Sequence, residues 1–137
     1  MRVRHFMTEK VFSVCWTQDQ IDTEDLLTWP VTRHVPVTDE AGRLLGMLDE
    51  RDLLRESLAS RGSGISLEKV LMVGGQMIEP DAPIQEAARI LLDGKTDCLP
   101  VVADGRLVGI LTGHDLLHLV EDSLAEHAEL ETGELVG

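Results

Sequence analysis

Residues 33–58 read RHVPVTDEAGRLLGMLDERDLLRESL, and residues 97–121 read DCLPVVADGRLVGILTGHDLLHLVE. Laid one over the other, Pro36 falls on Pro100, Gly46 on Gly109 and Asp52 on Asp115, with a turn one residue shorter in the second copy. Upstream, HFMTEKVFSV aligns with VLMVGGQMIE when Met7 is set on Met72. A unit of about 60 residues therefore occurs twice. We take residues 1–60 as the first repeat, 61–66 as a linker, 67–125 as the second repeat and 126–137 as an acidic C-terminal tail. The linker assignment rests on Arg61-Gly62-Ser63-Gly64, a polar and flexible stretch.

Local chemistry orders each repeat. In the second, Asp81 is positioned to cap a helix and Pro83 suits its first turn. Ile84, Ala87, Ala88 and Leu91 then make one apolar stripe, and Gly94 ends it. Cys98–Val102 reads as a strand, Asp104-Gly105 as a two-residue hairpin turn and Arg106–Leu111 as the returning strand. A second helix follows Thr112, with Leu116, Leu117, Val120 and Leu124 expected inward. In the first repeat Thr17 and Gln20 suit a capping box, and the helix they open should stop near Trp29, before Pro30. A longer turn over Asp39–Arg43 joins the strands, and Leu53, Leu54 and Leu58 form the expected inner stripe of the second helix. Weak early strands are expected over Val11–Val14 and Gln76–Glu79. The order is βαββα twice, an α+β fold. Neither copy can bury both faces of a three-stranded sheet alone, so the repeats should pack face to face as a pseudo-two-fold pair.

Composition excludes several function classes. Of 137 residues, 43% are hydrophobic, while 2 Phe, 2 Trp and no Tyr leave an aliphatic core with few platforms for stacking bases. Twelve Lys and Arg against 25 Asp and Glu give a net charge of −13, which opposes nucleic acid and anionic membranes. Cys15 and Cys98 make neither a disulfide framework nor a zinc site, so a reducing cytoplasmic setting is expected. No apolar run is long enough to span a bilayer, and the N-terminus has no signal-peptide core. P-loop, nucleophile-elbow and dinucleotide fingerprints are absent, and we expect no enzymatic activity.

The shared signature is Gly, two apolar residues, three variable residues, Asp and an apolar residue. It reads Gly46-Met47-Leu48-Asp49-Glu50-Arg51-Asp52-Leu53 and Gly109-Ile110-Leu111-Thr112-Gly113-His114-Asp115-Leu116. With Leu99-Pro100-Val101-Val102 upstream, it resembles the CBS domain, named after cystathionine β-synthase, and two in tandem resemble a CBS pair or Bateman module. The resemblance covers about residues 1–125. It implies an allosteric regulatory module, a homodimer with an unidentified protein partner, and a cleft for an adenosine-containing ligand: AMP, ADP, ATP or S-adenosylmethionine.

Physical chemistry agrees with such a cleft. A strand running into a helix presents free N–H groups to an anion, a cap hydroxyl can bond a phosphate oxygen, and a carboxylate three residues later can accept from a ribose diol. Carried over by position, Thr112 and Asp115 take the phosphate and ribose roles in the second repeat. Asp52 takes the ribose role in the first, where Asp49 replaces the hydroxyl and opposes a phosphate unless cations intervene. Arg33, His34 and Arg51 are the candidate cations, and His114 is a further phosphate contact. A magnesium ion travelling with the phosphate would also offset Asp49. Phe12, Met77 and Ile78 are candidate walls for the base.

A competing reading needs no ligand. Thr112 with Asp115 is also a capping box, and Asp caps a helix as well as Thr does, so the chain can equally be a dimerisation or protein-interaction scaffold with an empty cleft. His114 and His118 share a helix face with Glu121 beyond, a spacing open to zinc, but the general-base Glu of a metalloprotease is missing and His114 overlaps the signature.

Overall fold

The computed structural model describes residues 1–16, 34–60, 66–94 and 96–136. The helix expected between Thr17 and Trp29 falls outside the described residues, as do Arg33 and Arg61-Gly62-Ser63-Gly64.

The doubled unit is present. In the first repeat β1 (Val14–Cys15) runs parallel to β2 (His34–Thr38), which pairs antiparallel with β3 (Leu44–Asp49) and leads into α1 (Glu50–Ser60). A short helix, α2 (Leu67–Val70), opens the passage to the second repeat. There α3 (Ile84–Leu92), β4 (Cys98–Ala103), β5 (Arg106–Thr112) and α4 (Gly113–Val136) repeat the order. The early strand is reduced to Ile78, whose N–H donates to Pro100 O (3.0 Å) and whose carbonyl accepts from Val102 N (2.8 Å). The β4–β5 turn is carried by Asp104 and Gly105, at φ 52° and 79°, the left-handed pair that an Asp-Gly hairpin supplies.

Val14 pairs with Val37, and Ile78 bridges Val101, so Val14 and Ile78 are counterparts. On that spacing Thr8 answers to Met72. The match of Met7 with Met72 followed residue identity and is one residue out.

Each repeat lends its leading segment to the other. Thr8 N donates to Ile110 O (2.8 Å) and Ile110 N to Thr8 O (3.0 Å), while Met47 and Met72 exchange bonds of 3.0 and 2.9 Å. Val3, held by a bond from its N–H to Ala82 O (3.0 Å), is fully buried with Ile78, Ile84, Leu99 and Leu111 in the second core. Val70 is buried with Val14, Val35, Val37 and Leu48 in the first. The initial residues thus pack on the repeat that follows them in sequence.

Two expectations are corrected. Asp81 does not cap α3: Pro83 holds the N-cap position without a side-chain bond, and Asp81 instead pairs with Arg2 and Arg4. The inner faces of α1 and α4 are narrower than expected. Leu53 is buried and Leu116 packs on the second core together with Leu119, but Leu54, Leu58, Leu117, Val120 and Leu124 are all more than half exposed or at half, at 58, 79, 59, 50 and 63%. Each helix meets its sheet along one edge only, so residues a quarter-turn away form a second apolar stripe left uncovered in a single chain. Among the described residues, no helix is long and apolar enough to cross a membrane.

Candidate functional site

A cavity of about 420 Å³ opens where the N-terminal segment crosses the start of α4. Its apolar wall comes from both repeats: Val11 and Phe12 from the first, Ile110 and Cys98 from the second. Its polar edge carries Thr8, Lys10, His34, Thr112, His114 and Asp115.

The signature residues form a reciprocal cap on α4. Thr112 N donates to Asp115 Oδ2 (2.9 Å), the Thr112 hydroxyl donates to the same oxygen (3.2 Å), and Asp115 N reaches Thr112 Oγ1 (3.4 Å). Two orphan N–H groups are thereby satisfied. The other carboxylate oxygen, Oδ1, accepts from the Thr8 hydroxyl at 3.0 Å. The capping box is thus real. Asp115 and its two partners, Thr8 and Thr112, all line the cavity.

A second cavity, of about 630 Å³, is lined by His34 and Asp49 of the first repeat and, from the second, by Met72, Leu91, Asp97 and Gly113 among others. Asp49 caps α1 by accepting from Arg51 N (2.8 Å). It is 7% exposed, and its Oδ2 stands 3.5 Å from His34 Nε2. The Nδ1–H of His34 donates to Asp97 Oδ1 (2.6 Å), since an ionised carboxylate only accepts. One imidazole therefore joins carboxylates from both repeats and lines both cavities.

The structure brings Phe12, His34, Thr112, His114 and Asp115 to one cavity, and His34 with Asp49 to the other. Asp52 lines neither. It lies in the first turn of α1 and pairs with Arg55 at 3.3 Å. Arg51 is exposed on α1 and reaches Asp49 through its main-chain N–H. Met77 and Ile78 line a separate pocket with Glu79 and Glu86, because the bridge to Val101 turns that stretch away. Thr8, Lys10 and Ile110 were missed. A spacing that set Val14 against Ile78 in place of Glu79 would have pointed to Thr8.

Cys98 is 4% exposed, and its thiol is pushed up from 9.0 to about 12, first by burial and then by the charges of Asp97 and Asp115. The thiol stays neutral at ordinary pH and serves as apolar wall. Its folded value lies above its unfolded one, so its contribution to stability is complete below about pH 9 and is lost as pH rises toward 12. Among the described residues no group of three or more His, Cys, Asp or Glu is placed to hold a metal ion. His114 and His118 touch only edge to face, with ring centres 5.4 Å apart.

The family model "CBS domain" matches residues 3–59 and 76–122. A crystal structure of a Vibrio cholerae protein assigned to acetoin utilization (AcuB) is 30% identical, with a TM-score of 0.77 over 94% of this chain and 96% of that one. The crystal structure of CBSX2 in complex with AMP is 29% identical, with a TM-score of 0.70 over 88% of this chain and 96% of that one. Among curated relatives, the magnesium transporter MgtE of Thermus thermophilus is 38% identical over 94 residues, 68% of this chain. The A-adding tRNA nucleotidyltransferase of Aquifex aeolicus is 29% identical over 127 residues, 90% of this chain. The chain spans only 20% and 15% of the length of these two relatives. A repeat found twice, built from exchanged leading segments and strand-to-helix caps and matched over both copies, places this chain in the CBS domain family as a tandem pair.

Proposed function

We propose that the chain is a regulatory module that takes an adenosine-containing ligand in the cavity between Phe12 and Asp115 and passes the binding event to a partner. The observation that carries this reading is the convergence of Asp115, Thr112 and an apolar wall from the opposite repeat on one cavity of about 420 Å³, a size in the ordinary range for small-molecule sites. The diol of a ribose would share the Asp115 Oδ1 that accepts from the Thr8 hydroxyl, and a flat base fits between Val11, Phe12 and Ile110. CBSX2, solved with AMP and similar over most of this chain, supports the assignment. The cavity uses residues of both repeats, so a ligand bound there biases their relative packing, which is the elementary requirement for a switch. AMP, ADP, ATP and S-adenosylmethionine all meet the diol-and-base requirement.

The scaffold reading has one observation in its favour: the capping box and the Thr8 bond already engage both oxygens of Asp115. Thr112→Asp separates the two. A carboxylate at this position caps a helix, as Asp49 does for α1, so stability should change by less than about 1 kcal/mol. Phosphate-bearing ligand, measured by calorimetric titration, should weaken by tenfold or more. Wild-type protein that takes up none of the four ligands at millimolar concentration would support the scaffold.

The uncovered stripes on α1 (Leu54, Leu58) and α4 (Leu117, Val120, Leu124) are proposed to meet a second copy of the chain, because both repeats carry the stripe on the same helix. Sedimentation equilibrium should read twice the chain mass, falling to one chain in Leu58→Asp/Leu117→Asp. A wild-type monomer at tens of micromolar would exclude it.

A further inference from the structure

We propose that Arg43 and Arg106, one from each repeat, hold between them the phosphate group of a small soluble compound, at a site separate from both cavities. The proposal stands independently of the adenosyl reading.

The two hairpin turns meet across the pseudo-two-fold. Leu44 N donates to Gly105 O and Leu107 N to Gly42 O, both at 3.0 Å, and these bonds set Arg43 opposite Arg106 in an antiparallel bridge. The bonds run between the flanking residues, so the bridged pair is of the non-hydrogen-bonded kind. In such a pair both side chains leave the same face, with Cβ atoms about 5 Å apart. Each arginine follows the glycine of its own turn, Gly42 or Gly105, so the same position of both copies supplies the pair. Both residues are exposed, and neither lines the cavity at Asp115 or the one at Asp49.

Two guanidinium groups set directly opposite each other repel. Among the described residues neither has a carboxylate within ion-pair distance. Lys10, Arg51 and Arg89 share that lack, but none of them is set opposite another cation across a strand bridge. Asp39, in the first turn, is engaged by the main chain: its Oδ1 accepts from Ala41 N and from Arg43 N, each at 2.9 Å. An anion between the arginines turns one repulsion into two attractions and fastens one repeat to the other. The fork of N–H donors on each guanidinium selects its chemistry. A carboxylate offers two oxygens in one plane, matched to one fork. A phosphate monoester offers three oxygens around a tetrahedral centre, which two forks can share. The net charge of −13 opposes nucleic acid as the source of that phosphate.

The test is titration of the isotope-labelled full chain with inorganic phosphate at constant ionic strength, followed by NMR, with acetate as the parallel arm. Support is a saturable shift at the main-chain N–H groups of Arg43, Arg106 and their neighbours with phosphate and none with acetate. Phosphate binding should weaken by about tenfold or more in Arg43→Gln and in Arg106→Gln alike. Arg106→Lys, which keeps the charge without the fork, should bind several-fold more weakly than wild type. No saturable shift at these positions, an equal shift with acetate, a response confined to Thr112 and His114, or undiminished binding in either glutamine variant overturns the site. Equal binding in Arg106→Lys overturns the fork and with it the choice of phosphate. A phosphoserine peptide that binds tenfold more tightly than inorganic phosphate overturns the small-molecule source and assigns the pair to a phosphorylated protein.

Discussion

Asp115→Ala is expected to lower AMP affinity by at least about 100-fold and, separately, to lower the melting temperature by a few degrees. The binding loss follows from removing the acceptor of a sugar diol. Each hydrogen bond to a charged group contributes about 1.5–3 kcal/mol, and two are lost. The stability loss has a different source. Asp115 accepts from Thr112 N at 2.9 Å and from the Thr8 hydroxyl at 3.0 Å, so alanine uncaps α4 and loosens the N-terminal segment. A lost cap costs about 1 kcal/mol, or about 4 °C for a chain of this size. Asp115→Asn separates the effects, because its amide oxygen keeps the bond from Thr112 N while the neutral side chain grips a diol poorly. Melting near wild type with AMP weakened tenfold is the expected pair of results. AMP uptake undiminished in the alanine variant would exclude the ribose role.

Gly46→Ala is expected to be the most damaging glycine-to-alanine substitution among the described residues, at about 3 kcal/mol, or a melting point lower by about 10 °C. A methyl group at residue 46 would stand 2.4 Å from Met72 O and 2.9 Å from Leu71 Cδ1. The carbonyl cannot retreat freely, because it accepts from Met47 N at 3.0 Å in the bridge that holds the exchanged segment on β3. Gly109→Ala is the control. Its closest neighbour is Met7 Sδ at 2.8 Å, the flexible end of a side chain, with Thr8 O at 3.1 Å. A loss of about 1 kcal/mol is expected there. Thermal unfolding of both variants checks the order. Equal melting of the two would contradict the asymmetry between backbone and side-chain obstruction.

These glycines show what was legible in the sequence and what was not. Their recurrence at the same place in each copy marked them as structural, yet nothing local said what approached them. The answer lies far along the chain for Gly46, at Leu71 and Met72, and for Gly109, at Met7 and Thr8. The leucines of α1 and α4 taught a related lesson. An apolar residue on a helix reads as inward, but Leu54 and Leu117 follow the buried Leu53 and half-buried Leu116 by one position and so turn away from the sheet. Asp81 misled for the opposite reason. A carboxylate near a helix start caps in the absence of competitors, and here Arg2 and Arg4 from the exchanged segment take it.

By itself the sequence determined the twofold repetition, the Asp104-Gly105 turn, the strand pairs β2–β3 and β4–β5, and the caps at Asp49 and Thr112. Each of these is decided by residues within a few positions of one another, through backbone geometry, alternation or a side chain bonding its own helix. Tertiary structure alone decided that residues 1–8 lie on the second repeat and 70–72 on the first, that Thr8 answers to Met72, and that Asp115 faces Phe12 of the other copy. Val3 and Val70 are both buried valines, one in each core. The choice between sheets belongs to the packing of the whole, and the pattern of neighbouring residues carries no trace of it.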